Sequence, residues 1–183
     1  VDADPQGDLT TCLGIRNQDE LEKTLGSVLD KVIKNKPLEE NEAIIHHIEG
    51  VDLVPSNIDL EAVEVGLVNI MSREYVLQTY IDEVKKQYDY VIIDCRPSLS
   101  MITLNALACS DSVIIPVQCE FFALEGITQL LNSIIMVQGS MNPGLRIEGV
   151  LLTMLDGRTN IGLEVIEEIR KYFKDKVLSL IHI

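Results

Sequence analysis

The chain has 183 residues, of which 46% are hydrophobic and 24% are charged, and its formal net charge is −14. This composition fits one globular core and argues against a surface that is basic all over. No apolar run is long enough to predict a membrane span, and the four cysteines lack the C-x-x-C spacing that would indicate zinc.

The predicted elements alternate between strands and helices along the chain. Short apolar runs predict strands at 51–54, 88–93, 113–117 and 147–153. Helical periodicity predicts helices over 72–87 with Ser72 as N-cap, over 123–138 and after Asn160. Residues 21–33 are a candidate helix within the least regular region, 14–50. This order predicts an α/β fold with a mostly parallel sheet flanked by helices.

The last two predicted helices each carry an apolar stripe that we expect to face inward. In the 123–138 helix the stripe consists of Ile127, Leu130, Leu131, Ile134 and Ile135. In the last helix it consists of Leu163, Val165, Ile166, Ile169, Tyr172 and Phe173.

Acidic residues at two places are candidates for a site that binds a nucleotide with Mg²⁺. Asp2 and Asp4 form a D-x-D pair, and Asp94 ends an apolar run. A carboxylate at the carboxyl edge of a parallel sheet can take a hydrated Mg²⁺. For the D-x-D pair alone, turn or helix capping is an equally good interpretation. Asp94 is costly to bury without a cation or a hydrogen-bonding partner.

These motifs belong to a longer set that resembles the ParA/Soj family of partitioning ATPases, within the deviant-Walker P-loop ATPases. The matching segments are 1–10, 88–99, 105–107, 112–120, 123–126 and 148–160. The resemblance implies a P-loop NTPase-like fold that is incomplete at both ends. No G-x-x-x-x-G-K-[ST] loop occurs in these residues, and in the family a strand and the lysine-bearing P-loop precede the D-x-D-P-Q segment.

The resemblance also implies roles for the acidic residues, with ATP and Mg²⁺ as cofactors. Asp4, the second Asp of D-x-D-P-Q, is expected to be catalytic by orienting the attacking water. Asp2 and Asp94 are expected to bind Mg²⁺ through water, and Pro97 is expected to lie at the nucleotide.

Arg96 departs from the family pattern, which most often has Pro, Ala or Gln at this position. Three interpretations stay open for its side chain. It contacts the phosphates, it pairs with an acidic neighbour, or it points to solvent.

Three further residues take expected roles from the resemblance. Glu120 and Glu125 are expected near a nucleotide-dependent dimer face, although an ordinary strand-loop-helix junction explains them equally well. Arg158, in an R-T-N segment, is expected to contact DNA, although a lone loop arginine is more often a solvated charge.

The function that the resemblance implies is ATP-dependent DNA partitioning. The expected partners are a second copy on ATP binding, DNA without sequence preference and a ParB-like centromere-binding protein, with no membrane partner. The expected location is the bacterial cytoplasm, on the nucleoid. The net charge of −14 disfavours DNA binding, because the phosphates repel a negatively charged protein, and binding therefore needs at least a local basic patch.

Two alternatives stay open. A MinD-like positioning ATPase would need an amphipathic carboxyl-terminal helix. The other alternative is a non-hydrolysing protein-binding module without a P-loop.

The two ends of the chain are interpreted separately. Residues 1–177 are expected to be a partial ATPase domain, nearly inactive alone because the P-loop lysine and amides are missing. Residues 178–183 are expected to be a non-native tail, since a common transposase-type sequencing adapter encodes them in this frame. A native apolar strand is the alternative.

Overall fold

The computed structural model describes residues 1–120, 123–155 and 160–178. They form two compact units, one from Val1 to Cys109 and one that begins at Ser110. None of the helices in these described ranges is both long enough and apolar enough to cross a membrane.

The first unit joins short strands to α-helices. Its strands are β1 (Asp2–Ala3), β2 (Ile45–His46), β3 (Asp52–Leu53) and β4 (Asp94–Cys95). Its helices are α1 (Asp8–Cys12), α2 (Leu25–Ile33), α3 (Asp59–Leu67), α4 (Val76–Val84) and α5 (Met101–Cys109). Three-residue 3₁₀ turns lie at Gln18–Glu20, Arg73–Tyr75 and Lys85–Gln87. β1 and β4 pair in parallel, whereas β2 and β3 pair antiparallel.

The core of the first unit is built from the apolar faces of α2, α3, α4 and α5. Helix α2 begins after Thr24, whose side chain forms a reciprocal capping box with Ser27. The fully buried side chains include Leu25, Leu29, Leu60, Leu67, Leu77, Tyr80 and Ile102. Burial of each leucine stabilises the unit by about 1.5–3 kcal/mol. Ala3 of β1 belongs to the same core, which therefore fixes the position of that strand.

The second unit contains a longer parallel pair. Strands β5 (Ser112–Gln118) and β6 (Arg146–Thr153) run in parallel, with helix α6 (Ala123–Ser140) in the connection between them. Helix α7 (Asn160–Phe173) and a 3₁₀ turn at Lys174–Lys176 follow. Val177 then forms a parallel bridge with Val150 of β6. The parallel pairs and the intervening helices confirm the predicted α/β class.

Two predicted strands differ from the observed ones. The predicted 88–93 strand has no ladder, and only Asp94–Cys95 pairs with β1. The register sets Asp94 opposite Asp2, so residues 88–92 have no residue of this sequence opposite them in β1. The predicted 51–54 strand is reduced to β3, which pairs antiparallel with β2 and not within a parallel sheet.

Ser72 is not the N-cap that the sequence predicts. Its φ is +56° and its side chain makes no capping hydrogen bond. A 3₁₀ turn at Arg73–Tyr75 precedes α4, and the buried Asn105 side chain accepts a hydrogen bond from the Leu77 backbone N–H at 3.0 Å. A residue distant in sequence therefore caps this helix.

Both predicted apolar stripes are confirmed at their centres and are wrong at their edges. Ile127 and Ile134 of α6 are buried, but Ile135 is 63% exposed. On α7, Val165, Ile166, Ile169 and Phe173 are buried. Leu163 and Tyr172 are 48% and 72% exposed, because they lie at the two edges of that stripe.

Candidate functional site

The paired strands β1 and β4, with the residues that directly follow them, bring the predicted acidic residues together. The parallel register places Asp2 opposite Asp94. Asp4 and Arg96 are the residues that directly follow these two paired strands. The carboxyl ends of parallel strands are where α/β proteins hold their ligands.

Asp2 is a fully buried carboxylate, with 0% exposure. The Thr10 backbone N–H and hydroxyl donate to its Oδ2 at 2.9 and 2.6 Å. The Asp4 backbone N–H donates to its Oδ1 at 3.2 Å. These hydrogen bonds replace the water that the carboxylate loses on burial, and they tie β1 to α1.

The Thr10 hydroxyl extends this network to the segment that follows β3. It accepts a hydrogen bond from the Ser56 backbone N–H at 3.0 Å. The Asp2 backbone N–H donates to the Val54 carbonyl at 3.0 Å. Ser56 and Asn57 are also buried, and no described residue makes a hydrogen bond to Ser56 Oγ or Asn57 Oδ1. Residues 54–57 therefore flank β1 on the side away from β4.

Asp4 lies in a tight turn, and its side chain is 21% exposed. Its Oδ1 accepts a hydrogen bond from the Gln6 backbone N–H at 3.0 Å, and its carbonyl accepts one from the Gly7 backbone N–H at 3.0 Å. Gly7 has a φ of +65°, and a Cβ at this position would lie 2.8 Å from the Gln18 side-chain amide. The turn thus depends on glycine at position 7.

Asp94 is exposed, in contrast to Asp2. The pKa of Asp94 is raised above its ordinary value, mainly because the carboxyl group is partly buried. The negative charges of Asp2, Asp4 and Asp8 raise it further. Burial and the Asp94 charge also raise the pKa of the neighbouring Cys95 to about 12, so that residue is a neutral thiol. The carboxylates therefore repel one another, and a cation placed among them would be stabilised.

These residues fit a magnesium ion that is held largely by phosphate oxygens and water. Within the described ranges, no three or more His, Cys, Asp or Glu side chains converge closely enough to hold a metal by themselves. Mg²⁺ in nucleotide sites usually takes only one or two carboxylates. The exposed Asp94 can supply one. Both oxygens of Asp2 already accept hydrogen bonds, and its predicted contact with Mg²⁺ through water stays a prediction.

The loop after Asp94 is anchored at its far end. Thr103 donates its hydroxyl to the Ser98 carbonyl at 2.9 Å, and Glu64 of α3 accepts a hydrogen bond from the Met101 backbone N–H at 2.6 Å. Pro97 lies in an exposed bend of this loop. Thr10 and Glu64 were not predicted from the sequence, because each acts on a residue that only the fold brings near.

Arg96 pairs with an acidic neighbour, which is one of the three interpretations left open by the sequence. Its Nε lies 3.9 Å from Asp4 Oδ1. The two side chains are 24% and 21% exposed. The arginine therefore places a positive charge directly beside the predicted catalytic carboxylate.

Comparison with known proteins assigns the family. The profile of a family described as an AAA domain matches residues 1–147. The chain is 49% identical over 181 residues to the sporulation initiation inhibitor protein Soj of Bacillus subtilis, which covers 99% of this chain and 70% of Soj. It is 45% identical over 183 residues to the chromosome partitioning protein ParA of Myxococcus xanthus, which covers 99% of this chain and 62% of that protein. The chain belongs to the ParA/Soj family.

A solved structure supports the ParA/Soj fold assignment. Cobyrinic acid a,c-diamide synthase of Mycobacterium smegmatis, crystallised with ADP and magnesium, superimposes with a TM-score of 0.82 at 37% identity. The match covers 94% of this chain and 68% of that one. The present chain thus spans 62% to 70% of the length of these three proteins.

The remaining predicted ParA/Soj residues lie in the second unit or outside the described residues. Glu120 is exposed in a bend after β5. The backbone of Glu125 lies in α6, but its side chain is outside the described residues, as are Arg158 and residues 179–183. Their predicted roles stay predictions.

The buried network around Asp2 predicts a specific effect of Thr10 substitutions. Thr10→Val removes the hydroxyl that donates to Asp2 and accepts from Ser56, so we expect a loss of about 2–3 kcal/mol in the free energy of unfolding. Thr10→Ser keeps the hydroxyl and should lose only about 1 kcal/mol for its missing methyl group. Urea unfolding of the full-length protein measures both values. Equal stability of the two variants would show that the hydrogen bonds of the Thr10 hydroxyl do not stabilise the fold.

Proposed function

We propose that this chain is the nucleotide-hydrolysing part of a bacterial ATP-dependent DNA partitioning protein. The observation that carries the proposal is the placement of Asp4 directly after β1 and of Asp94 in the adjacent parallel strand β4. The proposal is supported by the names of the relatives Soj and ParA, and by the ADP and magnesium bound in the solved structure with the same fold.

The proposed roles follow from exposure and hydrogen bonding. Asp4 orients the attacking water, because its carboxylate is partly exposed and the turn that bears it is held by Gln6 and Gly7. Asp94 holds the hydrated Mg²⁺, because it is exposed and surrounded by negative charge. When bound, Mg²⁺ supplies neutralisation of the phosphate charge. The Asp2 side chain stabilises the turn that bears Asp4, because its Oδ1 accepts a hydrogen bond from the Asp4 backbone N–H.

The rest of the proposed cycle rests on residues away from this cluster. Pro97 lies at the nucleotide, and Glu120 and Glu125 lie at the face where two ATP-bound copies meet. The resulting dimer binds DNA without sequence preference through Arg158. A ParB-like centromere-binding protein stimulates hydrolysis, and the protein acts in the cytoplasm on the nucleoid.

Substitution of Asp4 tests hydrolysis directly. Asp4→Asn keeps the size of the side chain but weakens its ability to polarise water, so we expect ATP turnover by the full-length protein to fall by about 10²-fold or more. Binding of a fluorescent ATP analogue should stay within about twofold, because the role of Asp4 is in the chemical step.

The exposed Asp19, which lies in a 3₁₀ turn of the same unit, provides a matched control, and Asp19→Asn should hydrolyse ATP normally. Full turnover by Asp4→Asn would refute the assignment. A parent protein that binds ATP without hydrolysing it would favour the non-hydrolysing binding module.

Substitution of Arg158 tests the DNA contact. We expect Arg158→Ala to weaken binding of the ATP-loaded protein to DNA of any sequence and to reduce the slope of log K against log salt by about one. Arg170→Ala is the matched control, because Arg170 is an exposed arginine on α7. Binding curves at several salt concentrations measure both. Indistinguishable curves for the two variants would remove Arg158 from the DNA interface.

A further inference from the structure

We propose that Arg96 is a positioning residue for Asp4, which holds one oxygen of that carboxylate so that the other faces the attacking water. This inference rests on the proposed function, because it gives Asp4 the water-orienting role. It concerns a residue at which this chain departs from the usual ParA/Soj sequence pattern.

Asp4 and Arg96 follow two strands that pair in parallel. The β1 and β4 ladder ends at the Ala3 and Cys95 pair, so the residues that directly follow the two strands are brought near one another. These residues are Asp4 and Arg96. Pairing of the two strands brings these residues near one another, and Arg96 Nε lies 3.9 Å from Asp4 Oδ1.

The two carboxylate oxygens of Asp4 have different surroundings. Oδ1 accepts a hydrogen bond from the Gln6 backbone N–H at 3.0 Å and faces Arg96 Nε at 3.9 Å. Among the described residues, none donates a hydrogen bond to Oδ2. One oxygen is thus held by the protein, and the other is available to accept a hydrogen bond from water.

The charges around Asp4 are mostly negative. Asp94 lies opposite Asp2 in the β1 and β4 pair, and Asp8 begins α1, so carboxylates precede, follow and face the segment that bears Asp4. An isolated Asp4 carboxylate would be pushed away from these neighbours towards solvent. The Arg96 guanidinium attracts Asp4 to the side of β4, and the pair is only about one-quarter exposed, so solvent screens it less than a surface pair.

Arg96→Gln in the full-length protein tests the inference. We expect kcat for ATP hydrolysis to fall about threefold to tenfold, because a loosened carboxylate spends less time in the reactive geometry. KM and the equilibrium affinity for a fluorescent ATP analogue should stay within about twofold. Arg96→Lys keeps the positive charge without the planar guanidinium and should recover part of kcat.

Two controls separate positioning from general stability. Arg73→Gln removes another partly exposed ion pair of the same unit, in which Arg73 Nε lies 3.4 Å from Glu74, and it should leave kcat unchanged. In the Asp4→Asn background, Arg96→Gln should cause no further loss of kcat, because the group that it positions is already disabled. The free energy of unfolding, measured in urea, shows whether each variant is folded.

The outcomes distinguish failure of this inference from failure of the proposed function. Full turnover by Asp4→Asn overturns both. If Asp4→Asn is inactive, an unchanged kcat in Arg96→Gln overturns the positioning role alone. A loss of ATP-analogue affinity without a loss of kcat also overturns it, because Arg96 would then contact the nucleotide. If Arg96→Gln does not fold, the same comparisons are made with Arg96→Lys.

Discussion

The buried Asp2 carboxylate and its bonds to Thr10 are the interaction on which the site depends. Removal of a carboxylate from water costs several kcal/mol unless donors replace the water. Here the Thr10 amide and hydroxyl and the Asp4 amide provide three such donors. The Thr10 hydroxyl also accepts a hydrogen bond from Ser56. The Thr10 side chain thus connects β1, α1 and the segment after β3. The Asp2 carboxylate that it holds in turn fixes the turn that bears Asp4.

Pairing with β1 also fixes the position of β4. It aligns Asp2 with Asp94 and leaves Asp4 beside Arg96, so buried, exposed and ion-paired carboxylates lie within one cluster. Partial burial, and after it the repulsion by neighbouring carboxylates, raises the pKa of Asp94. A protein selected only for stability would avoid such a cluster, whereas a site for a magnesium nucleotide uses it. The function that we propose follows from this concentration of charge.

The fold class and the family could be predicted from the sequence, because apolar strand runs, helical periodicity and the D-x-D-P-Q segment are local signals. Details that depend on distant partners could not. Asn105 caps α4 in place of Ser72, and Thr10 fixes Asp2, and no local pattern indicates either contact. The exposed Ile135, Leu163 and Tyr172 show the same limit, because periodicity locates the centre of a stripe better than its edges. The partner of Arg96 became apparent only from the structure, in which its Nε lies 3.9 Å from Asp4 Oδ1.

A crystal structure of the full-length protein with Mg²⁺ and a non-hydrolysable ATP analogue tests the proposed site most directly. We expect the ion to lie beside Asp94, Asp4 to face the terminal phosphate and Asp2 to keep its hydrogen bonds to Thr10. A metal ion bound away from Asp94, or an Asp2 carboxylate that has left Thr10 to become a direct metal ligand, would contradict the proposed site.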